Sequence, residues 1–106
     1  MVSHGSTISL VIVEEKEDLE QSIDLIIPLP NTSEKVTMTV NLGTETVITE
    51  EIVPSEIDGY WHITIRGEGL GTVSIYYNGQ LYRAYTVDFS EKTTTMVADY
   101  SENFGG

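Results

Sequence analysis

The chain has 106 residues, of which 17 are acidic and 5 are Lys or Arg; it has no Cys and a formal net charge of −12. That length is one domain, able to bury a core without staples, and the missing thiols exclude disulfides and thiolate–zinc sites. The acidic balance argues against nucleic acid and anionic membranes as partners, because Lys and Arg dominate binding to both.

Met1–Ser6 reads as a flexible start with no basic n-region, and no stretch approaches the roughly 20 apolar residues of a membrane-spanning helix. The Met1 start favours a whole gene product of the cytoplasm over an excised piece. Thr7–Val13 is the first expected strand, with Ile8, Leu10 and Ile12 on one face and Ser9, Val11 and Val13 on the other. Both faces carry apolar residues, so this strand is expected either to be covered twice or to pair with a neighbouring chain. Glu14–Glu20 holds five acids in seven residues; it reads as a solvated loop and lacks the alternating Asp/Asn and Gly of a calcium loop.

Ser22–Leu29 is the second strand, burying Ile23, Leu25, Ile27 and Leu29 and leaving Ile26 as an exposed exception. Pro28 and Pro30 lack amide donors, so its end belongs at an edge or outside the sheet. Asn31-Thr32-Ser33 is a turn whose match to a glycosylation sequon is read as chance. Lys35–Leu42 alternates cleanly, with Val36, Met38, Val40 and Leu42 inward, and Gly43 breaks it. A strand resumes through Thr46–Glu50, with an extension to Val53 allowed.

Tyr60–Arg66 is the clearest strand: Trp61, Ile63 and Ile65 point inward, and Tyr60, His62, Thr64 and Arg66 outward. Gly67-Glu68-Gly69-Leu70-Gly71 looks like a phosphate loop, but strands lie on both sides where that chemistry needs a helix N-terminus, so it is read as a turn. Thr72–Tyr76 and Leu81–Phe89 form a hairpin. A two-residue Asn78-Gly79 turn would set Leu81 opposite Tyr76 and Val73 opposite Ala84, mixing apolar and polar faces. A three-residue loop, Tyr77-Asn78-Gly79, is therefore expected, pairing Ile75 with Leu81 and Val73 with Arg83. Arg83 then snorkels or meets an acid at the rim. Lys92–Ala98 is a final strand, and Tyr100–Gly106 a loose tail or a segment ordered by a partner.

Seven to nine short strands joined by turns indicate an all-β sandwich or barrel in a single domain, 1–106. The run Asp58-Gly59-Tyr60-Trp61-His62-Ile63-Thr64-Ile65, followed by Gly71-Thr72-Val73-Ser74-Ile75-Tyr76-Tyr77, resembles the later strands of immunoglobulin-like modules of bacteria and phages. The likeness covers about residues 58–89. It implies an immunoglobulin-like antiparallel β-sandwich.

Little in the chain suggests catalysis. His4 lies in the flexible start and His62 on a wet face, too far apart in sequence to suggest a His-based zinc site. Asp58, Glu68 and Asp88 sit near turns and nothing marks two of them as a paired acid and base. No enzyme, cofactor or metal is expected. The aromatic residues are the better candidates. With Trp61 inward, Tyr60, Tyr76 and Tyr82, with His62, are expected on the exposed face of adjoining strands, where tyrosines anchor protein interfaces or stack on sugars.

The expected function is a structural or docking module that binds other proteins. Its most specific form, implied by the resemblance, is a tailed-phage virion component contacting capsid or tail proteins, with self-association as a further mode. A carbohydrate-binding module, or a repeat of a bacterial surface adhesin at the cell surface, is the alternative.

Overall fold

The computed structural model describes residues 21–104. The expected strand Thr7–Val13, the flexible start, the acidic run and the last two residues lie outside the described residues.

Among the described residues seven strands form two antiparallel sheets packed as a sandwich, with no α-helix. The smaller sheet pairs β1 (Gln21–Pro28) with β4 (Tyr60–Gly67). The larger has the order β3-β2-β5-β6-β7, from β2 (Val36–Leu42), β3 (Glu45–Ile52), β5 (Leu70–Tyr77), β6 (Gln80–Asp88) and β7 (Thr93–Asp99). A 3-10 turn, Pro54–Ile57, leads from β3 into β4.

Alternation creates the core. On β1 and β4, Ile23, Leu25 and Ile27 stand opposite Ile65, Ile63 and Trp61, and all six are buried. On the facing sheet, Met38 and Val40 stand opposite Tyr77 and Ile75, with Leu42 opposite Val73. Each fully buried aliphatic side chain contributes roughly 1.5–3 kcal/mol of transfer free energy. Ile26 is the exposed exception of β1, and Trp61 is 4% exposed while its neighbours Tyr60 and His62 face solvent.

The β5–β6 hairpin differs from expectation. The turn is the two-residue Asn78-Gly79 form, with Tyr77 opposite Gln80 and Tyr76 opposite Leu81. Both turn residues have positive φ, 49° and 84°, as a type I′ turn requires. The face mixing that argued against this turn is cured by a β-bulge: the register shifts between Ile75 and Tyr76, leaving Tyr82 without a partner. Beyond it Val73 meets Tyr85 and Gly71 meets Val87, so the inward set is restored. Leu81 therefore lies beside Tyr76 rather than on the core face.

The tail also differs. Ser101–Asn103 forms a 3-10 turn, and the Phe104 ring packs 5.0 Å from Tyr77 and 5.1 Å from Tyr82, centroid to centroid. Up to Phe104 the segment is anchored to the core, because an aromatic side chain gains more from burial than a short tail loses in entropy.

Candidate interaction surface

The four residues expected to share one surface are divided by the fold. Tyr60 and His62 lie on the outer face of β4 in the smaller sheet, both exposed. Tyr76 is half-buried on the outer face of the larger sheet, between Thr39 of β2 and Leu81 of β6. Tyr82 is in the core.

The burial of Tyr82 has a local cause. As the bulged residue of β6 it escapes strict alternation, and its ring turns inward to stack on Tyr77 at 5.6 Å. Its hydroxyl donates to the carbonyl oxygen of Pro28 at 2.6 Å, and its own carbonyl accepts from the Tyr100 amide at 2.8 Å. Burial pushes the Tyr82 phenol up to about 12. A residue so placed cannot contact a partner, and the three-tyrosine platform does not form.

A different grouping survives around Tyr60 and His62. Ile26 stands directly opposite His62, and Pro28 opposite Tyr60. Ile26 is 57% exposed and Tyr60 52%. A shallow depression of about 350 Å³ is lined by Ile26 and His62 together with Asp24 and Thr64. The Thr64 hydroxyl donates to the Asp24 carboxylate at 2.7 Å across the β1–β4 pair. Ile26 was visible in the sequence as an apolar residue out of phase with its strand; only the β1–β4 register sets it against His62.

The opposite surface is chemically different. Thr72, Thr86 and Thr95 form a cross-strand row on the outer face of β5, β6 and β7, bordering a depression of about 500 Å³ with Leu70 and Asp88. At the other end of this sheet, Arg83 donates through Nε to Asp99 at 3.2 Å and through a terminal nitrogen to the Tyr85 hydroxyl at 3.1 Å, the second of the two outcomes its sequence position left open. Hydrogen bonds from the Ser101 hydroxyl and amide, helped by Arg83, hold the Asp99 carboxyl below its usual range. Among the described residues no group of three or more His, Asp or Glu is placed to hold a metal ion.

Compared with known proteins, the chain matches no family model, no curated protein and no solved structure.

Proposed function

We propose that this chain is a non-enzymatic docking module, an immunoglobulin-like sandwich that binds another protein through the outer face of its smaller sheet. Strand order supports the fold assignment. Pairing β1 with β4, and β3-β2-β5-β6 in the facing sheet, follows the B–E and C′-C-F-G arrangement of that architecture, with β7 added beyond the last strand. In its most specific form the module is a tailed-phage virion protein that decorates a capsid or joins tail parts. The resemblance of Asp58–Tyr77 to phage modules and the acidic, cysteine-free composition support this form.

The observation that carries the docking reading is the exposed cluster of Ile26, His62 and Tyr60 on a sheet of two strands. An exposed tyrosine is among the residue types enriched in interface hot spots, and Ile26, in the next outward-facing pair of the ladder, adds apolar area to it. The test is affinity capture from lysate of the source with the wild-type chain and with Ile26→Ser/Tyr60→Ser. Recovery of a capsid or tail protein by the wild type, reduced at least about tenfold in the double variant, supports the proposal. Equal recovery by both would remove this face from it. A glycan-array signal lost in the same variant would instead favour sugar binding, a reading weakened by the dispersal of the tyrosines.

A further inference from the structure

Asn78 and Gly79 make the turn between β5 and β6, and both are exposed. Of the four asparagines, Asn31, Asn41, Asn78 and Asn103, only Asn78 precedes a glycine. A glycine there has no Cβ to shield its backbone nitrogen. That nitrogen can attack the carbonyl carbon of the Asn78 side chain. The N–Cγ bond forms, the Cγ–Nδ2 bond breaks, and Nδ2 leaves as ammonia with the proton that Gly79 gave up. Water then opens the five-membered imide at either carbonyl, giving aspartate or isoaspartate.

The fold opposes this reaction in two ways. Ring closure needs the Gly79 nitrogen on the Cβ side of the Asn78 Cα–C bond, a ψ of about −120°, which is the type II′ value. The φ angles of 49° at Asn78 and 84° at Gly79 are those of a type I′ turn. That turn sets ψ of its first residue to about +30°, which carries the nitrogen to the far side of the bond. The carboxamide is also held. Its oxygen accepts from the Thr37 amide at 2.8 Å, and the Asn78 amide donates to the Thr37 carbonyl at 2.8 Å. Swinging Cγ onto Gly79 means giving up the first of these bonds to β2.

We propose that Asn78 is a self-modification site, kept as asparagine by its contact with Thr37 and converted to isoaspartate when the hairpin comes away from β2. The consequence is structural. Isoaspartate routes the main chain through the side-chain methylene, so the connection between Tyr77 and Gln80 lengthens. A two-residue turn has no place for the extra atom, and both bonds to Thr37 depend on that turn. Conversion also adds a negative charge to a chain that already carries −12. An opening that lasts long enough to react is therefore recorded, because the turn cannot close again in its first form. This inference does not depend on the docking reading.

The test uses the full-length chain at neutral pH, folded in buffer and unfolded in concentrated urea, sampled over time. Trypsin cuts after Arg66 and Arg83 and releases Gly67–Arg83, in which Asn78 is the sole asparagine. Mass spectrometry reads the change from amide to acid, and chromatography separates the aspartate and isoaspartate forms. We expect isoaspartate to accumulate in the unfolded chain, and at least about tenfold more slowly in the folded one. Equal rates in the two states would overturn the proposal, and so would no isoaspartate in either. Refolded isoaspartate material gives a second reading. Its Thr37 amide, deprived of the Asn78 acceptor, should exchange with solvent at least about tenfold faster than in the unmodified chain. Unchanged protection at Thr37 would refute the structural consequence.

Discussion

Tyr82 and Pro28 are joined by a hydrogen bond of 2.6 Å that crosses from one sheet to the other. The donor sits on a bulged residue of β6 and the acceptor at the end of β1, so one contact ties the hairpin irregularity to the sandwich. Tyr82→Phe keeps the ring and leaves the Pro28 carbonyl without this donor. We expect a loss of about 1 kcal/mol, read as a lower urea midpoint at unchanged m-value. Tyr82→Ala also empties the space between Tyr77 and Phe104 and should cost about 3–5 kcal/mol.

Alkaline pH should weaken the fold through the same residue. Tyr82 titrates near pH 10 when unfolded and at about 12 when folded, so between these values the folded state holds a proton that the unfolded state has released. The stabilisation is complete below pH 10 and is lost as pH rises through 12. Tyr77 is raised in the same direction, by burial and then by Glu34. Denaturation midpoints measured from pH 9 to 12 should therefore fall, and fall less steeply in Tyr82→Phe. Parallel slopes for the two proteins would contradict the assignment.

Gly67 ends β4 where a side chain has no room. A Cβ there would lie 2.8 Å from Cε2 of Phe89, a ring 1% exposed, and 3.3 Å from Leu42. Gly67→Ala should destabilise by about 1–3 kcal/mol through overpacking. Adding Phe89→Leu should recover part of that loss, although Phe89→Leu alone destabilises; a double-mutant cycle in urea measures the coupling.

Asn78 does two things at the hairpin turn. It accepts the left-handed conformation, and it binds β2, with its amide donating to the Thr37 carbonyl and its side-chain oxygen accepting from the Thr37 amide, each at 2.8 Å. Asn78→Gly keeps the conformation and loses the side-chain bond; Asn78→Ala loses the bond and strains the backbone. We expect alanine to be the worse substitution by about 1 kcal/mol, measured by thermal unfolding. Equal stability would mean that the turn relaxes out of its type I′ form.

The all-β class, the strand faces and the inward Trp61 were legible in the residues themselves, because period-two alternation records which side of a strand is wet. That Arg83 must snorkel or meet an acid was legible from a charge on a core-facing position, but its partner Asp99 and its place opposite Ile75 were not. Tyr82 was not. Its place depends on a bulge, and one extra residue moves a side chain to the other face with no mark in local composition. The division of Tyr60 from Tyr76 was hidden for a related reason. Alternation assigns a face within each strand, but which sheet a strand joins depends on pairings between residues far apart, such as Ile26 with His62. Side-chain chemistry alone determined that this chain forms strands with a buried and a wet side. Only the tertiary arrangement decided which wet sides meet, because strand partnership is settled by the total packing of the core rather than by any one segment.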